Sequence, residues 1–539
     1  MSGQSTRVGR RSFLRKAAVG AGAAAAAAMS TTAAAETSRQ MAIPETWDQE
    51  VDVVVAGAGH GGLCAAISAA QEGASVLLLE ISSKTGGGSA WSGGIIHAMG
   101  LQDWEEYLAH TEGLHDPELG RLYVETFRNE FIPWLEEIGA YFEGPGEGVA
   151  FSADYFMGKG EKGQLRHRLY FDSLEEALAG FGGTLMTRMR AVKLFTNEEG
   201  AVVGLRAVNV DTGEFMNIGA RAVILATGNF MANKEMLNRY VGPFAHRAKL
   251  MGVPYNTGEG IMMAEEAGAI LSGSMSTWSG TLVALTPGDP LCANAEEYER
   301  VLAETPPEEL GAALSVGRIS PPSWLPLDAG FFAGQVRGLL VNKEGKRFID
   351  EGSPLESKYV RLQQAVLRQT EGMAYQIGDQ AIFDATLGSA EAIEAIEAAG
   401  GTVLVADTLE ELADMLAERG VRRGAFLRTI QEYNQAIADE TTMDLDVPRT
   451  TGFFPIENPP FYAIAVTAQI YMTFGGVAIN ENVQALDRQK NPIPGLYAVP
   501  PTGGGVFDVL YGGGIGIAGT FGYLAGKAAA SAMAEGEGE

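Results

Sequence analysis

Cysteine is nearly absent from this sequence. Only Cys64 and Cys292 occur among 539 residues, and two cysteines cannot form a disulfide framework. No Cys-x-x-Cys-His segment is present, so the sequence predicts neither a c-type haem nor an iron–sulfur cluster. We also predict no metal site. Any redox chemistry of this chain therefore requires electrons to pass to or from an external carrier.

Basic residues are scarce as well. The chain has 39 Lys and Arg against 67 Asp and Glu, which gives a formal net charge of −28. Residues 1–35 contain basic residues and no acidic one, so the remainder is even more acidic. A surface of this sign repels nucleic acid and anionic lipid. The composition therefore argues against nucleic acid as a partner.

A membrane-spanning helix needs about 20 apolar residues, and the sequence contains no apolar run of that length. Arg10 and Arg11 precede an uncharged, alanine-rich run over residues 17–29, and small residues at 33–35 offer a cleavage site. We predict that residues 1–35 are a twin-arginine signal peptide, and that the protein is exported to the periplasm or another extracytoplasmic compartment. An uncleaved anchor is the alternative. Nothing later in the chain predicts a transmembrane helix, so we do not expect an integral membrane protein.

Glycine, in contrast, is plentiful, with 70 residues. Residues 51–56 are almost all β-branched and apolar, which predicts a buried parallel strand. A turn with glycine at positions 57, 59, 61 and 62 follows and opens a helix. Gly57 permits the tight turn, Gly59 lets the backbone approach a diphosphate, and Gly62 lets helix and strand pack closely. We predict that Gly57, Gly59, Gly61 and Gly62 bind the diphosphate of a dinucleotide.

A second strand, residues 75–79, ends at Glu80. A carboxylate at this distance from the glycine turn bonds the ribose hydroxyls of a dinucleotide and disfavours a 2′-phosphate. Strand, glycine turn, helix, strand and acid together predict a dinucleotide site, with Glu80 and the adjacent Ile81 in contact with the cofactor. A structural βαβ unit without a ligand is the alternative.

Three further segments extend the predicted cofactor site, and together they favour FAD. Small residues over 84–94 permit close approach to a flat ligand, with a flexible loop as the alternative. Alternating strands over 191–226 predict a β-meander that returns to the sheet. A helix near the C-terminus can offer its N-terminal N–H groups to the flavin. The residues predicted to contact FAD in these segments are Lys84, Gly87, Gly88, Ser89, Gly93, Gly94, Val192, Ala226, Thr227, Gly228, Gly514 and Ile515.

The order of these segments predicts an α/β protein. We expect a two-dinucleotide-binding, Rossmann-like FAD domain with an inserted α+β capping domain. The FAD domain comprises residues 48–272 and 471–535, and the capping or substrate domain comprises residues 273–470. Apolar periodicity predicts helices in the cap over 391–399, 410–419 and 423–438, whereas residues 144–163 are predicted to be a glycine-rich loop.

These motifs, in this order, resemble the flavoprotein family of fumarate reductases, succinate dehydrogenases and 3-ketosteroid dehydrogenases. The matching segments are 57–62, 84–89, 226–230, 341–348, 475–479, 494–497 and 520–526. The resemblance implies that substrate lies between the cap and the isoalloxazine ring. It also implies that a hydride moves between flavin N5 and a carbon next to an electron-withdrawing group.

The substrate residues of fumarate reductases are not matched. Residues 352–355 stand where that family has an arginine, Met472 stands where it has a histidine, and a second arginine falls at or next to Tyr511. A bidentate guanidinium is how a site holds a dicarboxylate. Fumarate and succinate are therefore disfavoured as substrates. Arg361 is a candidate to replace the missing arginine.

Tyrosines stand near these positions instead. The resemblance to 3-ketosteroid dehydrogenases implies that Tyr511, with a following glycine amide, holds a carbonyl oxygen that becomes enolate-like. Tyr359 and Tyr471 are candidates to transfer the proton. For each of these tyrosines, packing in a core or against the flavin is the alternative.

We therefore predict an exported FAD-dependent oxidoreductase that acts on a C–C bond adjacent to a carbonyl, with an enone or a 3-ketosteroid-like compound as substrate. The direction of reaction stays open. A reductase of another unsaturated carboxylic acid is the first alternative, and a flavin-binding subunit without its own substrate is the second. The predicted electron partner is a quinone, a cytochrome or another flavoprotein.

Overall fold

The structure is a computed structural model. It describes residues 42–96, 103–146, 154–158, 167–287, 294–304, 337–352, 361–385, 389–506, 508 and 511–536. The predicted signal peptide and Tyr359 lie outside the described residues. Within this part of the chain, no helix combines the length and the apolar character that crossing a bilayer requires.

Twenty strands form four sheets. In chain order they are β1 Gln49–Ala56, β2 Val76–Glu80, β3 Ile95–Ile96, β4 Phe142–Gly146, β5 Asp154–Met157, β6 Thr184–Thr187, β7 Met189–Thr196, β8 Val202–Asn209, β9 Phe215–Leu225, β10 Lys249–Leu250, β11 Leu271–Ser272, β12 Trp278–Ala284, β13 Leu339–Val341, β14 Ala374–Asp379, β15 Val403–Ala406, β16 Phe461–Thr473, β17 Gly476–Ala478, β18 Gln484–Leu486, β19 Pro492–Ala498 and β20 Gly503–Gly504. These counts refer to the described residues.

The α-helices lie between the strands and at the C-terminus. In the described part of the chain they are α1 His60–Gln71, α2 Trp104–His110, α3 Pro117–Thr126, α4 Ile132–Glu137, α5 His167–Gly180, α6 Lys234–Met236, α7 Glu259–Glu266, α8 Ala295–Glu304, α9 Gln363–Leu367, α10 Gln380–Asp384, α11 Ser389–Ala398, α12 Leu409–Ala417, α13 Arg423–Ala438 and α14 Gly514–Gly536. The three helices predicted over 391–399, 410–419 and 423–438 are confirmed as α11, α12 and α13.

The largest sheet has eight strands and positions the site. Its main order is β18-β19-β9-β1-β2-β6, and β7 and β8 continue from β9. Strand β1 pairs in parallel with both β2 and β9, and Val53, Val54 and Val55 are fully buried, as a parallel strand covered on both faces requires. The predicted strands are confirmed. Because β1, β2, β9 and β19 run parallel, their carboxyl ends meet at one edge.

Helices α1 and α14 lie at this edge, and their backbones are in close contact. A Cβ on Gly522 of α14 would lie 2.2 Å from the carbonyl oxygen of Gly61, and one on Gly526 would lie 2.3 Å from that of Ala65. A larger side chain at either position would push α14 away from α1. The small residues therefore fix the C-terminal helix directly beside the glycine turn.

A six-stranded sheet has a hydrophobic core of its own. Strand β16 is its centre, and β10, β12, β14 and β15 all pair with it, while β13 pairs with β14. Helices α12 and α13 contribute Leu412, Leu416 and Phe426 to this core. The predicted start of the second FAD segment, residue 471, lies within β16.

A buried ion cluster joins the segment that follows β13 to the segment that precedes β16. The Glu351 carboxylate accepts from Arg347 Nη2 at 2.6 Å and from Arg449 Nη1 at 3.2 Å, and all three side chains are almost fully buried. Both guanidinium groups also donate to backbone carbonyls. These charges are thus paired and hydrogen-bonded, which burial demands. The Arg-Phe-x-x-Glu motif at 347–351 supports the fold here.

The prediction of a loop over 144–163 is wrong in part. Phe142–Gly146 and Asp154–Met157 form strands β4 and β5, which pair with each other, and β5 also pairs with β3 in a three-stranded sheet. The strands form because Ile95–Ile96, some 60 residues earlier in the chain, supplies their third partner. The loop prediction used only the local glycine content, which cannot indicate a partner strand elsewhere in the sequence.

Candidate functional site

A single continuous cavity lies at the carboxyl edge of the eight-stranded sheet. It extends from the end of β2, across the glycine turn, to the start of α14. Residues that the sequence places far apart line it together, because the turn after β1 and the start of α14 meet at this edge. Its lining includes Gly57, Gly59, Gly61, Glu80, Ile81, Gly87, Gly88, Ser89, Gly93, Ala226, Thr227, Gly228, Tyr471, Tyr511, Gly514 and Ile515, all of which were predicted to bind cofactor or substrate.

The glycine turn has the shape that a diphosphate needs. Gly57 has φ +100°, and a Cβ there would lie 2.4 Å from the Ala226 carbonyl oxygen. A Cβ on Gly62 would lie 1.8 Å from the Gly57 oxygen, so Gly62 serves close packing rather than ligand contact. Gly59, in contrast, has only one atom near its Cβ position, the Gly86 oxygen at 4.0 Å. The space beside Gly59 is open to the cavity.

Gly59 is also the N-cap of α1, and no side chain caps this helix end. The first-turn N–H groups and the positive end of the helix dipole are therefore available to an anion in the cavity. An open backbone approach, an uncapped helix N-terminus and a long cavity with a carboxylate at its far end fit a dinucleotide. The residues present fit FAD.

Glu80 ends β2 inside the cavity. Its carboxylate accepts from the backbone N–H of Ala58 at 2.7 Å and from that of Ser82 at 2.8 Å. Burial raises the pKa of the Glu80 carboxyl to about 7, although the backbone donors oppose the shift. A ligand that donates hydrogen bonds to this carboxylate would favour its ionised form.

Four predicted cofactor residues do not line the cavity: Gly62, Lys84, Gly94 and Val192. A Cβ on Gly94 would lie 2.0 Å from His167 Nε2, so this glycine makes room for a side chain rather than for a ligand. In β7, the neighbours Met189, Arg190 and Ala191 line the cavity instead of Val192.

His60 lies within the glycine turn and lines the cavity, although the sequence analysis did not predict it as a site residue. Its position inside the glycine motif is the one sequence feature that could have indicated this. Its Nδ1–H donates to the Ile515 carbonyl at 3.0 Å, and the Tyr170 hydroxyl donates to its Nε2 at 2.7 Å. Burial lowers the pKa of His60 to about 4, so the ring is neutral. This side chain connects the start of α1 with the start of α14.

Nothing in the sequence predicts a group of aromatic residues that covers another part of the cavity. Trp91 Nε1 donates to the Tyr298 hydroxyl at 2.6 Å, and the Tyr255 hydroxyl donates to Glu299 Oε1 at 2.8 Å. Trp91, Tyr255 and Tyr298 all line the cavity. They come from three separate segments, so no local motif could reveal them.

Tyr511 and Tyr471 share the cavity wall. The Tyr511 hydroxyl accepts from the backbone N–H of Gly514 at 2.8 Å, and desolvation raises the pKa of Tyr511, so the phenol stays protonated. The Tyr471 hydroxyl donates to the Gly280 carbonyl at 3.3 Å. Met472, Pro500 and Pro501 line the cavity with them. The structure thus brings two of the three predicted tyrosines to one site.

The remaining predicted residues are placed differently. Arg361 is half exposed, forms an ion pair with Glu112 at 3.4 Å, and is not among the described residues that line the cavity. Tyr359 lies outside the described residues. Arg190 is the one Lys or Arg among the described lining residues, and it forms an ion pair with Glu259.

The fold and this cavity define an FAD-binding protein. Residues 52–289 and 310–517 match the model of the FAD binding domain family, and the chain belongs to that family. FAD as cofactor is confirmed.

Relatives and solved structures place the chain among oxidoreductases. It is 28% identical over 490 residues to the urocanate reductase of Eggerthella lenta, and the alignment covers 85% of this chain and 71% of the relative. It matches the open conformation of a flavocytochrome c3 fumarate reductase with a TM-score of 0.63 and 25% identity, over 90% of this chain and 78% of the other. The 3-ketosteroid-Δ4-(5α)-dehydrogenase of Rhodococcus jostii RHA1 shares the fold, with a TM-score of 0.65 and 23% identity, over 91% and 99% of the two chains. The predicted resemblance and the prediction of an FAD-dependent oxidoreductase are confirmed.

Proposed function

We propose that this protein transfers a hydride between FAD and a C–C bond adjacent to a carbonyl, with an enone or a 3-ketosteroid-like compound as substrate. One observation carries the proposal. The wall around Tyr471 and Tyr511 offers hydroxyl groups, a thioether and apolar surface, whereas the single described cation of the cavity is already paired. FAD, when bound, supplies hydride chemistry at its N5.

The charges that line the cavity favour a neutral substrate over an anionic one. Arg190 is bound to Glu259, and His60 is held neutral by burial. A carboxylate brought into this cavity would face the acids Glu80 and Glu259 and find no unpaired cation among the described lining residues. Burying an unpaired carboxylate is costly. A ketone carries no such cost, because hydrogen-bond donors satisfy it.

Tyr511 is the proposed donor to the substrate carbonyl. Its oxygen already accepts from Gly514, and a phenol polarised in this way is a better donor. As negative charge grows on the carbonyl oxygen, this hydrogen bond strengthens, which favours the transition state. The positive end of α14, which begins at Gly514, adds to the same effect. Tyr359 remains the proposed source of the proton.

A reductase of an unsaturated carboxylic acid is the second candidate. The similarity to a urocanate reductase and to a fumarate reductase favours it. In that case a basic side chain beyond the described lining would have to supply the charge, and Arg361 is the first to test. The two candidates differ in the group that binds the substrate oxygen: a tyrosine hydroxyl in the first, and a basic side chain in the second.

Anaerobic reoxidation of the reduced flavin distinguishes them. The purified enzyme is reduced with dithionite, and flavin absorbance is followed after addition of benzylideneacetone, a 3-ketosteroid enone, cinnamate or fumarate. We expect the enones to reoxidise the flavin and the acids to leave it reduced. A saturated 3-ketosteroid added to oxidised enzyme tests the opposite direction. Reoxidation by the acids alone would overturn the proposal in favour of the second candidate.

The remaining parts of the proposal concern layout, location and partner. We propose that residues 48–272 and 471–535 form the FAD domain, that residues 273–470 form the cap, and that residues 1–35 direct twin-arginine export. A quinone, a cytochrome or another flavoprotein then exchanges electrons with the flavin. The two widely separated cysteines of the sequence support an external carrier, since a cluster or a c-type haem would need more ligands.

A further inference from the structure

Helix α8 lies against the Glu80 end of the cavity. The backbone N–H of Ser82 donates to the Glu80 carboxylate at 2.8 Å. The next backbone N–H, that of Ser83, donates at 3.2 Å to the carboxylate of Glu299, which belongs to α8. Neighbouring residues of one segment thus bind the acid that ends β2 and an acid of α8. A helix from the predicted cap is therefore fixed beside the carboxylate that is predicted to bind the ribose of FAD.

Glu299 connects α8 to three separate segments of the chain. Besides the N–H of Ser83, its carboxylate accepts from the Tyr255 hydroxyl at 2.8 Å and pairs with Arg188 Nη1 at 3.2 Å. Arg188 also donates to the Ile81 carbonyl at 3.3 Å, so this ion pair is joined to the segment that follows β2. The Glu299 side chain is only 19% exposed, and charge-assisted hydrogen bonds sheltered from solvent are the stronger ones. These contacts hold α8 against the cavity.

Tyr298 precedes Glu299 in α8 and lines the cavity. Its ring centroid lies 5.3 Å from that of Trp91 and 5.7 Å from that of Tyr255, and both of these rings line the cavity as well. Burial raises the pKa of the Tyr298 phenol, and the charge of the nearby Glu80 carboxylate adds to the shift. The three rings therefore form an aromatic cover at the Glu80 end of the cavity.

We propose that α8 is part of the FAD site and retains the cofactor: the aromatic cover encloses the AMP half of FAD, and Glu299 holds α8 in place. A carboxylate at the end of the second strand binds the ribose of that half, which puts the AMP half at Glu80. Flat aromatic rings suit an adenine ring, because both are apolar on their faces. Release of FAD should then require the contacts of Glu299 to break. The inference rests on the cofactor and not on the substrate, so it is independent of the proposed function.

Exchange of bound FAD measures retention without reference to turnover. The holoenzyme is mixed with an excess of isotopically labelled FAD, and the labelled fraction of protein-bound flavin is followed by mass spectrometry. Glu299→Ala should accelerate exchange about tenfold to a hundredfold, on the scale of a hydrogen bond to a charged group. Glu299→Gln keeps an oxygen that accepts and should accelerate exchange less. Glu296→Ala removes an exposed carboxylate from the same helix and should exchange FAD at the wild-type rate.

Tyr255→Phe is a milder variant that keeps the ring and removes the hydroxyl bonded to Glu299. It should accelerate exchange by about tenfold or less. The double variant of Tyr255→Phe with Glu299→Ala should exchange FAD as fast as Glu299→Ala alone, because both substitutions break the same bond. Effects that multiply in the double variant would overturn the proposal, since Tyr255 would then act on FAD without Glu299.

General loss of stability is a different cause of faster exchange, and Glu351→Gln controls for it. This substitution disturbs the buried ion cluster of Glu351, which is not among the described residues that line the cavity, and it should leave the exchange rate unchanged. Circular dichroism of each holoenzyme checks the fold. Wild-type exchange rates in Tyr255→Phe and in Glu299→Gln or Glu299→Ala would overturn the role of α8, as would equal acceleration by Glu351→Gln.

Discussion

The backbone N–H of Ala58 donates to the Glu80 carboxylate across 2.7 Å. This hydrogen bond joins the glycine turn after β1 to the end of β2, the two points that a dinucleotide must bridge. Glu80 therefore holds the turn in shape as well as facing the cavity. Glu80 thus both stabilises the turn and lines the cavity, where we propose that it contacts the cofactor.

Replacing Gly59 by Val should abolish FAD binding without unfolding the protein. The Cβ position of Gly59 is open in the protein but lies where a diphosphate approaches the backbone, and φ at Gly59 is −68°, which valine tolerates. Flavin absorbance of the purified protein measures the loss, and circular dichroism checks the fold. Gly180→Ala, at a surface position with an open Cβ site, is the control and should keep its flavin. A fully yellow Gly59→Val protein would contradict this use of the turn.

Glu80 should make the stability of the FAD-free protein depend on pH. Its folded pKa of about 7 lies above the ordinary value of 4.5, so its contribution is fully present below about pH 4.5 and is lost as pH rises through about 7. The loss should be about 3 kcal/mol at most, at 1.36 kcal/mol per pKa unit. Urea unfolding of apoprotein at several pH values measures it. Glu80→Gln should flatten this part of the profile, whereas Glu72→Gln, at an exposed site, should not.

The affinity for FAD should change with pH in the opposite direction to the stability of the FAD-free protein. Ribose hydroxyls that donate to Glu80 favour the carboxylate, so the affinity for FAD should rise with pH up to about 7 and then level off. Titration of apoprotein with FAD at pH values across this range gives the dissociation constants. An affinity that does not change with pH would show that Glu80 does not contact the ribose.

Tyr511→Phe should lower turnover about a hundredfold or more, on the scale of losing one oxyanion donor. The ring and its packing are kept, so FAD content should not change and the Michaelis constant should change far less than kcat. Steady-state kinetics with an enone measure both, with Tyr141→Phe as the matched control. Full activity in Tyr511→Phe would transfer the role to a basic residue, and Arg361→Gln would then be tested against unsaturated acids.

Glu351→Gln should destabilise the fold by about 3–5 kcal/mol, because it removes the buried carboxylate that pairs with the guanidinium groups of Arg347 and Arg449. The pair of Lys343 with Glu371, whose side chains are 19% and 55% exposed, provides a contrast. Glu371→Gln should cost about 1 kcal/mol or less. Urea unfolding followed by tryptophan fluorescence measures both variants. Equal effects of the two substitutions would show that the buried cluster adds no more stability than the more exposed pair.

Replacing Arg10 and Arg11 together by Lys should retain the flavin-loaded protein in the cytoplasm. The twin arginines are the feature of the predicted signal that a receptor recognises, and lysine keeps the charge while removing the guanidinium groups. Cell fractionation and immunoblotting measure the distribution, with Arg7→Lys as the control. Export of the doubly substituted protein would show that another signal is used.

Local sequence was sufficient to predict that Gly57, Gly59 and Glu80 come together, and in the structure they line one cavity. There, strand, turn and acid follow one another within 30 residues. The tight turn and the close backbone approach require glycine, and the hydrogen bonds to ribose require a carboxylate. The same holds for helices α11 to α13, whose apolar periodicity is complete within each helix.

Nonlocal pairing explains what sequence could not reveal. The direction of Tyr471 depends on a bulge opposite Gly280, 191 positions earlier. Strands β4 and β5 depend on Ile95–Ile96, and the burial of Glu351 depends on Arg449, 98 positions later. In each case the decisive partner is set by the tertiary fold, and no spacing within one segment encodes it.

The bond between His60 and Ile515 spans 455 positions of the chain. Residues from an early part of the described chain therefore form one wall of the cavity, and residues from a late part form the opposite wall. A nascent chain on the ribosome that has not yet released α14 lacks Gly514, Ile515 and the backbone contacts of Gly522 and Gly526 with α1. It follows that the cavity is complete only once α14 has been synthesised, and we expect a chain truncated before residue 514 to accumulate without flavin however well its first βαβ unit folds.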